Sequence, residues 1–173
     1  MSPAFTTISQ FSYVVKDIDR AIDHWAGILR VGPFFVLEHV PYDTCLFRGE
    51  VTDVDMSVAM AYSGDTQIEL VCQHNNADSI FIEHLQNHGE GLQHVGARTE
   101  NLDADLSFFQ SKSITPVQEG LASNGTRFAY LNTDAFPGTM LELFQIPDDI
   151  ARAFDYMRKA AKTWDPEIDS PRR

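Results

Sequence analysis

The sequence predicts an α+β fold of two paired β-α-β-β-β modules followed by a C-terminal helix. Three observations predict it. The stretches "SQFSYVVKDID" (9–19) and "QHVGARTENLD" (93–103) share one shape: Gln10 or His94 precedes a short apolar run and stands seven positions before Asp17 or Asn101. The closing apolar strands of the two halves, "IELV" (68–71) and "LELF" (141–144), each carry a glutamate at the second position. Beyond Pro147, residues Ile150, Phe154, Met157, Ala161 and Trp164 recur every three or four positions, the spacing of an amphipathic helix.

Taken in order, residues 8–16 are β-branched and aromatic and read as a strand with one buried face. "DIDRAIDHWAGILR" sets Ile18, Ala21, Ile22, Trp25, Ile28 and Leu29 at helical spacing, with Asp17 or Asp19 as N-cap. The strands "PFFVLEHV", "CLFRGEV", "DMSVAMAYS" and "QIELVCQ" follow, punctuated by "PYD", "TD" and "SGD", which leaves one of them irregular within the module. "ADSIFIEHLQNHGEG" reads as a short linker helix ended by Gly89. The second half repeats the order: strand "GLQHVGART", helix "NLDADLSFFQSK", strand "ITPVQEG", a hairpin about Asn124-Gly125, and the closing strand "GTMLELFQI". The chain thus divides into a first module (1–76), a linker helix (77–90), a second module (91–147) and a C-terminal helix and tail (148–173). The tail "DPEIDSPRR" is expected to fray, and the apolar stripe before it to pack on core or interface rather than touch a ligand.

Bulk properties narrow the function. At 43% hydrophobic residues the chain can build a core without disulfide or metal staples. A net charge of −12 argues against nucleic acid and anionic membrane as partners, and makes a strongly anionic substrate unfavourable unless a local basic pocket intervenes. Cys45 and Cys72 form no metal or redox pattern and read as reduced apolar residues of a cytoplasmic protein. "MSPAFTTISQ" does not have the form of a secretory signal, and no apolar run is long enough to span a bilayer.

Glu69 and Glu142 each lie between apolar neighbours in a strand. Strand alternation can turn such a glutamate outward, but two in register within a repeat, alongside Gln10 and His94, point inward, where carboxylates need a cation or a partner. At this point "QFSYVVKDIDRAIDHW", "QIELV", "QHVGARTENLD" and "GTMLELFQ" together resemble the vicinal oxygen chelate superfamily. That family includes glyoxalase I, methylmalonyl-CoA epimerase, extradiol dioxygenases, and fosfomycin- and bleomycin-resistance proteins. The resemblance covers about residues 7–147 and rests on order, spacing and duplication.

The resemblance implies a curled, half-open mixed sheet around a metal site, with ligands from the first and last strands of each module. Carried over, these are Gln10, Glu69, His94 and Glu142, with Gln67 as substitute if the register slips; Gln93 is expected to face the other way. One imidazole, two carboxylates and an amide oxygen suit a divalent ion such as Zn, Co, Ni, Mn or Mg. Two histidines and one glutamate serve the dioxygenases and fosfomycin enzymes, and Gln10 stands where their first histidine would be. The set is closer to glyoxalase I of the eukaryotic kind and to methylmalonyl-CoA epimerase. That similarity implies an isomerase, epimerase or lyase that removes a proton α to a carbonyl, with Glu142 as base and Glu38 or Glu50 as a second group for an epimerase. Val14 stands where glyoxalase I has its glutathione-binding arginine, and Gln73 where it has an asparagine, which shifts the expected substrate toward an acyl-CoA thioester. Arg48, Arg98 and Arg127 are then the candidate cations at the mouth. "GPFFVLEH" (32–39) is expected mainly to pack on the helix. His24, His39, His74, His84 and His88 match no family ligand, although His39 and His74 lie at strand ends within reach of a cavity. The contrasting expectations are a metal-free small-molecule binding protein of the bleomycin-resistance kind and an extradiol-type dioxygenase. Relatives of this kind pair, so a homodimer is expected.

Overall fold

The computed structural model describes Phe5, residues 7–133 and residues 140–173. The first two residues of the expected closing strand, 138 and 139, lie outside them. In the first half, β1 (Gln10–Val14) leads into α1 (Ile18–Gly27), then β2 (Phe35–Leu37), β3 (Tyr42–Phe47), β4 (Glu50–Val51), β5 (Met56–Ser63) and β6 (Thr66–Gln73). Helix α2 (Ile80–His88) follows, and β7 (Gly91–Arg98), α3 (Leu102–Gln110), β8 (Pro116–Ala122), β9 (Arg127–Leu131) and β10 (Met140–Gln145) form the second half. Helix α4 (Asp148–Ala161) ends the order.

Local chemistry accounts for the boundaries. The Asp17 carboxylate accepts from Arg20 N at the start of α1, Ser79 caps α2, and Asn101 caps α3 by accepting from Ala104 N. Gly89 closes α2 with φ 79°, a conformation that favours glycine. On β5, Met56, Val58, Met60 and Tyr62 face one cluster while Ala59 and Ala61 face another beneath α1. That is the period of two expected of a strand covered on both sides.

Among the described residues ten strands join one mixed sheet in the order β2-β5-β6-β1-β7-β10-β9-β8-β3-β4. The halves meet where β1 pairs antiparallel with β7. The stretch "CLFRGEV" departs from expectation. It is a tight hairpin turning at Arg48 and Gly49 (φ 51° and 83°), and β3, besides its hairpin partner β4, pairs with β8 of the other half. Positive φ at both turn positions suits a two-residue hairpin. This pairing forces the curl. Strands β2 and β3 are eight spacings apart in the sheet order, roughly 38 Å if flat. Only residues 38–41 connect them, a reach of roughly 17 Å. The sheet must therefore bend until its ends approach, and its concave face becomes a cavity.

Two expectations about the C-terminus are corrected. The tail does not fray: Phe34 N donates to Pro171 O at 2.8 Å, Val36 N to Arg173 O at 3.0 Å, and Arg173 N to Phe34 O at 2.8 Å. Edge strand β2 offers unpaired backbone groups that the tail satisfies, and Arg172 bridges Asp19 and Glu38. The Trp164 ring covers Gly32 so closely that a Cβ there would lie 2.9 Å from it. Helix α4, so anchored, packs on β5 with Met157 buried, but its Ile150 and Phe154 line the cavity. The apolar stripe therefore both packs and contacts the candidate site. Among the described residues no helix is long and apolar enough to cross a membrane.

Candidate metal centre

Pairing in the central strands brings the polar residues together in two adjacent rows. One row runs Gln67, Gln10, Gly96, Glu142 and Tyr130 across β6, β1, β7, β10 and β9. The next runs Glu69, Ser12, His94 and Met140. Paired positions share a sheet face, so the residues alternating with apolar ones in sequence become a polar floor inside the curl. His94 is fully buried, and Gln10, Glu69 and Glu142 are each under 10% exposed.

His94 Nε2 lies 3.5 Å from Glu69 Oε2 and 3.4 Å from Glu142 Oε2, and the donor atoms of the three residues fall within 4.8 Å of one another. Donors around an ion with bonds of ~2.0–2.2 Å stand roughly 3.0–3.5 Å apart, so the spacing fits a small divalent cation. Gln10 lines the same cavity. Two buried atoms here make no hydrogen bond, Gln10 Oε1 and His94 Nε2. Buried polar atoms are ordinarily paired; an amide oxygen and an imidazole nitrogen left open beside two carboxylates form a coherent ligand set.

Each member is held from behind. The Gln10 amide donates to Gln67 Oε1 at 3.0 Å, and Gln67 in turn donates to the Tyr62 hydroxyl at 3.0 Å. Gln67 therefore supports Gln10 instead of replacing Glu69. The Ser12 hydroxyl donates to Glu69 Oε2 at 2.7 Å. His94 Nδ1 donates to Gln93 Oε1 at 2.6 Å, which corrects the expectation that Gln93 faces away. The register between β1 and β7 slips at this point, Ser12 opposing His94 and Tyr13 opposing Leu92, so Gln93 is an extra, bulged residue. A bulge breaks strict alternation and re-aims side chains. Orienting partners of this kind raise ligand basicity and fix ring orientation. Ser12, two residues after Gln10, was findable from strand alternation; the roles of Gln93 and Tyr130 depend on the bulge and on β9 register.

The electrostatics agree. Burial by itself lowers the His94 pKa, but Glu142 and Glu69 outweigh it and hold the imidazole up at about 9. Burial raises the Glu142 pKa, against the opposing pull of His94; Glu69 raises it further, and the neighbouring Tyr130 hydroxyl favours the ionised form. Gly96 makes the floor possible. A Cβ there would lie 1.9 Å from Gln10 Oε1. Gly96→Ala is expected to displace the Gln10 amide, costing about 1–3 kcal/mol of stability and weakening divalent-ion binding about 10–100-fold; thermal unfolding and a metal titration measure both.

Other expected residues do not reach the site. Glu38 pairs with Arg172 and Glu50 is exposed on β4. Arg48, Arg98 and Arg127 pair with Glu83, Glu100 and Asp103. His39 pairs with Asp55 and His74 contacts the Ser57 hydroxyl, and neither lines the cavity. His24 borders a separate depression beside α1, and His84 and His88 lie against each other on α2 with their rings tilted by 46°. Both cysteines are free and buried, with burial raising both thiols and pushing Cys45 up to about 11, consistent with an inert role. In "GPFFVLEH", Phe34 is fully buried under α1 and only Leu37 lines the cavity.

The sequence profile of the Glyoxalase/Bleomycin resistance protein/Dioxygenase superfamily matches residues 9–130. The chain belongs to this superfamily. Among solved structures of the superfamily's fold, the methylmalonyl-CoA epimerase of Mycobacterium tuberculosis is similar at 17% identity with a TM-score of 0.61, covering 88% of this chain and 95% of that one. A Bacillus halodurans protein described as hypothetical is 15% identical with a TM-score of 0.62, over 82% and 94% of the two chains. A Streptomyces coelicolor methylmalonyl-CoA epimerase in complex with 2-nitronate-propionyl-CoA is 17% identical with a TM-score of 0.57, over 82% and 95%. At these identities the likeness is one of fold. No curated protein sequence matches. In this superfamily member the β3–β4 hairpin interrupts the first module between its second and third sheet strands, the irregular strand that the sequence left unplaced.

Proposed function

We propose that the protein is a metal-dependent isomerase, epimerase or lyase that abstracts a proton α to a carbonyl. The observation that carries this is the buried Glu69-His94-Glu142 cluster with the open Gln10 Oε1 and His94 Nε2 atoms beside it. Gln10, Glu69, His94 and Glu142 would hold the ion, and the two carboxylates balance its formal charge. A divalent cation bound there supplies Lewis acidity, stabilising negative charge that develops on a carbonyl oxygen.

The chain's own residues supply the proton transfer. The Glu142 carboxylate takes the α-proton as the C–H electron pair moves toward the carbonyl, and then returns the proton to carbon. Ser12 donates to Glu69 Oε2, and burial raises the Glu142 pKa, which suits Glu142 to act as the base. Neither Glu38 nor Glu50 lines the cavity; an epimerase with two bases would draw its second from Glu69. The apolar walls keep water from the reacting carbon. A ligand-sequestering protein would share the walls but gain nothing from a buried carboxylate pair. An oxygenase facial set calls for a second histidine where Gln10 stands.

The test is α-carbon exchange in D₂O with a panel of acyl thioesters that includes isobutyryl-CoA and methylmalonyl-CoA, the latter found in complex with a structurally similar epimerase. The protein is purified without a chelating tag and its metal content measured. Stoichiometric divalent ion and exchange that stops on chelation and returns on re-addition support the reading. Exchange unaffected by chelation would sink it.

A further inference from the structure

We infer that the cavity takes a carbonyl compound whose α-substituent is uncharged and apolar, and that it discriminates against a free carboxylate there. The inference rests on the proton-transfer reading above. The cavity volume is about 120 Å³, and it opens to solvent at its mouth. Its charged lining among the described residues consists of Glu69 and Glu142 alone; no lysine or arginine contributes. The residues outside that set, "MSPA", Thr6 and "DAFPGT" (134–139), contain no lysine or arginine either.

The walls are mainly apolar, with Tyr42, Asn124 and Thr126 adding uncharged polar groups. Val58 and Met60 come from β5, Phe128 from β9 and Phe144 from β10, while α4 adds Ile150 and Phe154 from outside the repeated modules. The arginines that could have served the mouth are already paired with acidic neighbours. The net charge of −12 adds no compensating field.

Charge bookkeeping gives the selectivity. Two glutamates and one divalent cation sum to zero. Moving a proton from a neutral substrate to Glu142 leaves that sum at zero throughout: the carboxylate is neutralised as the substrate gains one negative charge. A substrate carboxylate on the α-carbon would leave the cavity one charge negative at every stage. An uncompensated charge in an apolar cavity is unfavourable.

A matched pair of thioesters isolates this difference because the handle is identical. Isobutyryl-CoA and racemic methylmalonyl-CoA differ in an α-methyl against an α-carboxylate. Calorimetric titration into the metal-loaded protein should show isobutyryl-CoA binding at least about tenfold more tightly. Thr126 lines the cavity at its partly exposed rim. Thr126→Arg should raise methylmalonyl-CoA affinity about tenfold relative to isobutyryl-CoA, the shared CoA phosphates affecting both alike. Equal or tighter binding of the carboxylated ligand by the unsubstituted protein, or no binding of either, overturns the inference. Exchange in D₂O separates the two claims. The expected preference without metal-dependent exchange would retain the ligand class and remove the catalyst, whereas metal-dependent exchange with preference for the carboxylate would do the reverse.

Discussion

Glu142→Gln is expected to lower metal-dependent α-proton exchange by about 10²–10⁴-fold while the protein stays folded. Glutamine preserves shape and an amide oxygen but is not a base at neutral pH. Position 142 sits on a central strand paired on both sides, with Gly96 and Tyr130 opposite, so the isosteric change disturbs the sheet little. Burial raises the basicity of Glu142 beyond that of an exposed carboxylate, and proton transfer improves as the base's pKa nears the operating pH. Glu69→Gln is the control: it should weaken the ion more than it slows exchange measured at saturating metal. Undiminished exchange in Glu142→Gln at saturating metal would remove Glu142 as the base.

Metal binding should release close to one proton near pH 7.5, and its apparent affinity should rise up to about tenfold per pH unit until the imidazole titrates. In the metal-free protein burial pulls the His94 pKa down, but Glu142 and Glu69 more than compensate and raise it to about 9 from an ordinary 6.5. Protonated, the ring nitrogen would face both carboxylates, 3.5 Å from Glu69 Oε2 and 3.4 Å from Glu142 Oε2, and a cation must displace that proton. The same shift sets the pH dependence of metal-free stability. A raised histidine pKa stabilises the fold fully below the unfolded value of 6.5, and that contribution fades as pH climbs through about 9. Metal-free protein should therefore lose Tm between pH 6.5 and 9, an effect abolished in His94→Asn, while excess divalent ion reverses the trend. Calorimetry in buffers of different ionisation enthalpy counts the protons. Zero release, or a His94→Asn variant whose metal-free Tm falls as the parent's does, contradicts the bridged geometry.

The local readings of the sequence survive where the physics is local. Asp17, Ser79 and Asn101 cap helices because their short side chains reach free N–H groups one turn on. Gln10, Glu69, His94 and Glu142 were legible because a duplicated strand pattern puts equivalent positions on equivalent faces. The repeats even implied the irregular strand, since β3 and β4 are additional to the four-strand unit.

What the sequence determined by itself was the kind of most elements, the duplication, and the polar residues on the inward face, all functions of short-range periodicity. The tertiary structure alone decided that β3 joins the opposite half, that the last residues pair with β2, and that α4 walls the cavity with Ile150 and Phe154. It also decided that Gln93 bulges toward His94 and that Arg48, Arg98 and Arg127 bind acidic neighbours instead of a ligand. These outcomes rest on contacts between residues distant in the chain, whose competing partners have similar local chemistry. Only the three-dimensional packing selects among them.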